Sequence, residues 1–224
     1  ALKLAESFAD HADVRDAAIA LADDADLLVR HQAAFTLGAF AGEEATRALS
    51  KLAARDGADS WMQLAILSSI GQRRGEFLSA LLSDSATRSQ THVRAILNAV
   101  AVQIGAANSK AELAMMIRQL DLLAADANGK SLAEELVRNL VSKQPAAKEM
   151  LAGATGWKAR EILAALVRDA IVAARDEAKT PADRAAAVRT LSSASLAETT
   201  DLFAELLQEL QRTQRLHLLA LLPH

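Results

Sequence analysis

Residues 26–38 read "DLLVRHQAAFTLG" and residues 59–71 read "DSWMQLAILSSIG". The two stretches superpose without a gap. Asp26 falls on Asp59, Val29 on Met62, Ala34 on Leu67, Leu37 on Ile70 and Gly38 on Gly71, so the offset is the same at both ends. A helical pattern restated at this distance, with room for a second helix between the copies, marks stacked helix pairs. Each pair can bury its apolar face only against its neighbours. The fold expected is all-α, an α-solenoid of antiparallel helix pairs. In a third, weaker copy, "DRAAAVRTLS" at 183–192, Arg184 falls on Arg30, Thr190 on Thr36 and Leu191 on Leu37. "ADVRDAAIALA" near the start opens with an Asp, an aliphatic residue and an Arg of the same kind. Asp suits a helix start, where the dipole and the free N–H groups favour an anion. The aliphatic residue is expected to pack inward, with Val29 and Met62 in equivalent buried positions, as Leu37 and Ile70 are. The arginine is expected near the groove or on the next repeat's Asp. Small residues at Ala33, Ala34 and Gly38 let helices approach closely.

Composition agrees. Hydrophobic residues make up 51% of the 224, yet aromatics only 3%, and tyrosine is absent. Ala and Leu, the strongest apolar helix formers, carry the difference. Only Pro145, Pro181 and Pro223 could interrupt helices. The net charge of −3 argues against a nucleic-acid platform, which carries a basic field. The absence of cysteine excludes disulfides, thiolate catalysis, Cys-ligated zinc and CxxCH-attached haem within these residues. No apolar run reaches the ~18–20 residues that span a bilayer, so direct membrane insertion is not expected. The longest, "AILNAVAVQIGAA" from Ala95, reads as a buried helix. The chain opens at Ala1 inside a helical pattern, without an initiator Met or a signal peptide. It reads as one repeat domain, 1–224, excised from a longer protein.

Apolar residues recur at three- and four-residue steps almost throughout. In "WKAREILAALVRDAIVAARDEA", Ile162, Leu163, Leu166, Val167, Ala170, Ile171 and Ala174 form one stripe. Thr155 sits where its N-cap should be, and Thr180 with Pro181 is a cap and first-position pair opening another helix. The spacing predicts helices over 2–9, 12–22, 26–40, 43–55, 59–71, 74–83, 88–106, 109–125, 130–142, 145–152, 156–177, 181–193, 197–209 and 211–221.

The Asp and Val-Arg entry resembles HEAT repeats, the armadillo-type superhelices. More narrowly, "DADLLVRHQAAFTLGAF" followed by "ALSKLAARDGADSWMQLAILSSI" resembles the HEAT segment of large exported proteins of planctomycetes and their relatives. These are labelled membrane-bound dehydrogenases or haem-binding proteins. In that family a sugar-dehydrogenase-like β-propeller precedes the HEAT array and a cytochrome c module with CxxCH follows it. "RDGADSW" with "LSS" after it is the most telling fragment. The resemblance covers the chain well up to the second of these helical copies and a little beyond, the region from Pro181 loosely, and the middle hardly at all. It implies an exported or periplasmic location, and no catalytic or haem-binding residue carries over.

Candidate sites are few. His11, His31, His92, His217 and His224 form no HxxxH or HExxH. "DHAD" (10–13) reads as a helix start, and "ADDAD" (22–26) as a solvated joint lacking the Gly turn and distal Glu of a calcium loop. "GATGW" (153–157) lacks phosphate-loop spacing. Trp61 is expected to pack beside a core position, and Ser68 and Ser69 have no paired His and Asp. "GQRRG" (71–75) is the one compact basic turn, where Arg73 and Arg74 could grip a carboxylate or phosphate.

The function expected is a non-catalytic scaffold or protein-interaction module. No metal, haem or nucleotide cofactor is expected, and the partner is protein: adjacent domains of the parent chain or another chain, with no nucleic acid. The alternatives are a HEAT-like enzyme of the DNA-glycosylase or chromophore-lyase type and a free-standing adaptor. An acidic chain without tyrosine suits a glycosylase poorly. The candidate interaction surface comprises Arg73, Arg74, Leu218 and Leu222. The last two belong to a leucine-rich end, "LLQELQRTQRLHLLALLPH", expected to be an unfinished interface.

Overall fold

The computed structural model describes residues 2–107, 109–126, 128–141, 151, 153, 157–191, 194 and 196–220, of which 157, 196, 197 and 213–220 enter as backbone only. Its helices are α1 Leu2–Ala5, α2 Ala12–Ala20, α3 Leu27–Leu37, α4 Glu43–Asp56, α5 Ser60–Ser69, α6 Arg74–Leu82, α7 Ser85–Ser89, α8 Thr91–Ala107, α9 Lys110–Ala125, α10 Lys130–Val141, α11 Trp157–Arg175, α12 Pro181–Thr190 and α13 Leu196–Ala220. Short 3₁₀ turns, Glu6–Phe8 and Leu21–Asp23, follow α1 and α2. No strand occurs among the described residues. The protein is all-α.

Two boundaries differ from the sequence reading. The helix expected over 88–106 is two, because Asp84 caps an earlier start by accepting the Thr87 N–H at 2.7 Å. Gln90, extended at ψ 135°, then breaks the run before Thr91. Conversely, the break expected near 210 is absent and α13 is continuous. Its "QELQRTQR" stretch is polar but holds no Gly, Pro or capping turn, and Gln, Glu, Leu and Arg all favour helix. The helix expected over 145–152, apart from the buried, helical Leu151, and the Thr155 cap lie outside the described residues.

The chain forms two compact units, residues 1–162 and 163–224. In the first, helices pack on their chain neighbours and also on the helix one pair further along. One tier runs α1 on α3, α3 on α5, α5 on α8 and α8 on α10; the other runs α2 on α4, α4 on α6 and α6 on α9. Helices α3 and α5 lie side by side in the same direction, because both of their ends meet. At the C-terminal ends, a Cβ on Gly38 would lie 2.9 Å from the Ser69 Cβ. There the Arg73 guanidinium also donates to the Leu37 and Ser69 carbonyls, each at 3.2 Å. At the N-terminal ends, Arg30 of α3 grips Asp56, just before α5 begins. The core between the tiers includes Leu37, Phe40, Leu49, Leu52, Met62, Ile66, Ile70, Phe77, Leu78, Ile96 and Leu97, all fully buried.

Leu37 and Ile70 therefore share a buried position, as the repeat requires, but Val29 and Met62 do not. Met62 is fully buried and Val29 only half-buried. The corresponding flank of α5 packs on the eleven-residue α3, whereas that of α3 meets only the four-residue α1.

One polar device recurs. Asp26, Asp59, Asp84 and Thr180 each cap a helix by accepting a first-turn N–H. Four residues on, one turn later and over the cap, stand Arg30, Gln63, Arg88 and Arg184. Each folds back onto the preceding joint: Arg30 donates to the Asp24 carbonyl at 2.8 Å, Gln63 to Gly57 at 2.6 Å, Arg88 to Leu82 at 3.1 Å and Arg184 to Ala174 at 2.9 Å. The three arginines also hold a distant acid, Asp56, Asp126 and Glu209 respectively. Arg30 thus pairs with the end of its own hairpin's second helix, not with the next repeat's Asp59. Its hydrogen bonds to Asp56 raise its pKa above the ordinary arginine value.

The second unit is alanine-rich at its core. Val167, Ala170, Ala174, Ala187, Leu191 and Leu202 cluster there, with Ile171, Val188 and Leu206 packed against them. Thr180 caps α12 by accepting the Asp183 N–H at 3.2 Å, with Pro181 at the first position, as the sequence implies. Arg175 holds Glu205 through two hydrogen bonds of 2.7 and 3.0 Å.

Candidate functional site

The second tier of the first unit carries three adjoining grooves in series, a furrow stepped by the helices between them. The first, about 600 Å³, lies between α2 and α4 and is lined by Arg15, Asp16, Ile19, Glu44 and Ala48, with Arg47 and Lys51 on its far wall. Arg47 and Lys51 also line the second groove, about 630 Å³, between α4 and α6, with Thr46, Ser50, Ser79, Ala80 and Ser83. Glu76 and Met115 pass from that groove into the third, about 410 Å³, where α6 meets the start of α9 beside Gly75, Ser109 and Glu112. The three grooves thus lie in series across four consecutive helices of the tier, with Arg47 and Lys51 of α4 forming the wall between the first two.

Its chemistry is that of an acceptor. The hydroxyls of Thr46, Ser50, Ser79 and Ser83 donate backwards to the carbonyls of Gly42, Thr46, Gly75 and Ala80, at 3.2, 3.0, 2.9 and 2.7 Å. With each proton spent inside its own helix, only oxygen lone pairs remain to offer a ligand. The cations are already matched. Arg15 contacts Asp16 at 3.0 Å and Glu44 at 3.6 Å, Arg47 pairs with Glu43, and Lys51 holds Asp23 at 2.7 Å. The hydrogen bond from Lys51 keeps the Asp23 carboxyl below the usual aspartate range. Glu76, exposed in the middle of the furrow, has no ion-pair partner among the described residues.

The basic turn at 71–75 is not a free anion grip. Arg73 is half-buried among neutral acceptors, the Leu37 and Ser69 carbonyls and the Thr46 hydroxyl at 3.4 Å. It thereby sets its charge at the C-terminal ends of α3 and α5, where the helix dipoles are negative. Burial lowers its pKa, and Glu76 works in the opposite direction. Arg74 belongs to Glu112, 8% exposed at the side chain, which accepts the Arg74 backbone N–H at 3.0 Å and its guanidinium at 3.1 and 3.3 Å. Ser109 and Glu112 have capping-box spacing, and Ser109 does accept the Glu112 N–H at 3.4 Å. The Glu112 carboxylate reaches across to α6 and fastens the second tier.

The remaining candidates divide by place. His11 is exposed and stacks edge-on against Phe8, with centroids 5.8 Å apart. His92 contacts the Ala54 carbonyl at 3.1 Å and so ties α8 to α4. His31 meets Phe35 edge-on at 5.2 Å, and its Nε2 is shielded with no hydrogen-bond partner among the described residues. The "ADDAD" joint is more than solvated: Asp23 holds Lys51, Asp24 accepts the Asp26 N–H at 2.8 Å, and Asp26 caps α3. Ser68 and Ser69 both donate to the Ala65 carbonyl, at 2.8 and 2.7 Å. Trp61 overturns its expected packing and is 70% exposed. The buried arc of α5 runs through Met62, Ala65, Ile66 and Ser69, and Trp61 stands just outside its edge. His224, Leu222 and most of 153–157 lie outside the described residues, as do the side chains of His217 and Leu218.

Among the described residues, no group of three His, Asp or Glu side chains is placed to hold a metal ion. No described helix is long and apolar enough to cross a membrane. Comparisons of the chain with protein-family models, with curated proteins and with solved structures found no match in any of the three.

The furrow was not legible as a site in the sequence. Its walls are drawn from positions between Arg15 and Met115, and no one stretch contains it. The only trace is the polar outer face of α4, where Glu43, Arg47, Ser50 and Lys51 recur at helical spacing.

Proposed function

We propose that the chain is a HEAT-like α-solenoid acting as a non-catalytic protein-interaction module, which holds an extended polypeptide segment along the second-tier furrow. The observation that carries this reading is the series of open, adjoining grooves across α2, α4, α6 and α9. A compact substrate is served by one enclosed pocket, whereas an open trough crossing several repeats suits a ligand that is itself extended. The acceptor-rich lining supports a peptide that brings donors: its backbone N–H groups and a Lys or Arg opposite Glu76. The recurrence of the α3 pattern in α5 and the two-tier packing support the solenoid. The resemblance of the stretch from Asp24 to Ile70 extends the reading to a scaffold inside a larger exported dehydrogenase or cytochrome-type protein.

A displayed library of short unstructured peptides tests the furrow. Enriched peptides should carry a basic residue, bind in the micromolar range, and lose at least tenfold in affinity on Ala80→Trp, which fills the central groove, and on Glu76→Lys. Enrichment of nothing, or of peptides indifferent to both substitutions, would remove the furrow from the proposal.

A further inference from the structure

We infer that the outer face of α3 and α5 is a second docking surface, on the other tier from the furrow, and that it receives an amphipathic helix with an apolar stripe and a basic end. The face is apolar where a surface should be polar. Leu28 is 75% exposed, Trp61 70%, Leu64 57%, Leu27 42% and Phe35 40%. These side chains belong together. Leu28 and Trp61 occupy the same repeat position on helices that run side by side in one direction. Leu28 and Phe35 are two helical turns apart on α3, and Trp61 and Leu64 one turn apart on α5, so each pair stands on one helix face. The flank of α3 that meets α5 carries Gly38 and, one helical face over, His31; the matching flank of α5 carries Ser69 and Ala65. His31 and Ala65 therefore form the floor of a shallow groove, with Leu28 and Phe35 along one rim and Trp61 and Leu64 along the other.

Charge selects the occupant. At about 150–250 Å² for a large side chain, the exposed fractions amount to about 400–700 Å². That reaches the upper end of the apolar patches ordinary monomers leave in water, which marks the face as one that a partner covers. Between a single helix and a second copy, the charges at the end of the groove decide. On α3 and α5 the single Lys or Arg is Arg30, and it is buried against Asp56. The caps Asp26 and Asp59, with Asp24 behind them, put carboxylates at the N-terminal end of the groove. A second copy would bring the same carboxylates and no cation. A helix with Lys or Arg at one end supplies the complement, and the apolar rims supply anchors of the kind that dominate helix-in-groove recognition.

The test uses the whole chain carrying Trp157→Phe, so that Trp61 is the sole tryptophan, and a displayed library of amphipathic helices whose terminal turns are either basic or acidic. Enriched helices should have basic ends, shift Trp61 emission to shorter wavelength saturably, and bind at least tenfold more weakly to Leu28→Glu with Leu64→Glu, whose helix content should be unchanged. They should bind the Ala80→Trp furrow variant undiminished, which separates this surface from the furrow. Four results would overturn the inference: no enriched helix sensitive to the paired substitutions, equal enrichment of acidic ends, an emission shift with protein concentration alone accompanied by dimer-sized light scattering, or the same shift on phosphatidylcholine or phosphatidylserine vesicles. The last two would assign the face to a second copy or to a membrane.

Discussion

Leu37 and Leu28 lie on the same helix, α3, and truncating each to alanine removes the same three carbons from opposite environments. Leu37 is fully buried and Leu28 is 75% exposed. For Leu37→Ala, the lost transfer free energy is about 2.4 kcal/mol at about 0.8 kcal/mol per carbon. The void left behind adds about 1 kcal/mol if a few tens of Å³ stay empty. Collapse is opposed on two sides: Gly38 is already against Ser69, and Arg73 pins the Leu37 carbonyl at 3.2 Å. The expected cost is therefore about 3–4 kcal/mol for Leu37→Ala, against less than about 0.5 kcal/mol for Leu28→Ala. Urea denaturation followed by helical circular dichroism reads the difference. With a slope of about 2–3 kcal/mol/M, the Leu37→Ala midpoint should fall by about 1–2 M while that of Leu28→Ala barely moves. Equal shifts, or a Leu37→Ala cost below about 1 kcal/mol, would mean that the inward face of α3 has been misassigned. Ile70→Ala, at the equivalent position and 1% exposed, should repeat the Leu37 result.

Gly38 and Gly71 align in the sequence but should respond to alanine for different reasons. Gly38 has ordinary helical torsions and no room, with Ser69 Cα 3.0 Å from where a Cβ would stand; Gly71 has open space but a φ of +51°. Both Gly→Ala variants should lose about 1–2 kcal/mol. In a thermal melt Gly71→Asn, which tolerates a positive φ, should lose less than Gly71→Ala, whereas Gly38→Asn, which is bulkier, should lose more than Gly38→Ala. In the second unit, the hydrogen bond from Arg184 holds the Glu209 carboxyl below its ordinary value of 4.5. A carboxylate whose folded-state pKa is depressed stabilises the fold above its unfolded pKa and loses that contribution as pH falls through the folded value. The gap in melting temperature between wild type and Glu209→Gln should thus be full near neutral pH and close as the pH drops below about 4.5; a gap that persists at pH 2–3 would mean the carboxylate charge is not what Arg184 reads.

The helices themselves were decided by local chemistry, and the sequence determined them nearly alone. Period-3.6 apolar residues, Asp and Thr caps and the near-absence of proline act over one or two turns, so Asp26, Asp59, Thr180 and Pro181 mark helix starts without reference to the rest of the chain. The sequence failed where polarity was taken for a break, as in the continuous α13, because a polar run of helix-forming residues has no reason to stop. It also supplied the recurrence of α3 in α5, hence the shared burial of Leu37 and Ile70. Tertiary structure decided what recurrence could not. Val29 and Met62 differ because their flanks meet helices of different length, and Gly38 and Gly71 because one faces Ser69 and the other turns the chain. Arg73 and Arg74 were consumed by helix ends and by Glu112, which stands far along the chain on α9. Trp61 came to face solvent because the inward arc of α5 was already filled by Met62, Ala65, Ile66 and Ser69. A repeat fixes which positions are equivalent; which side of each faces a neighbour depends on what that neighbour is, and that is settled only when the helices pack.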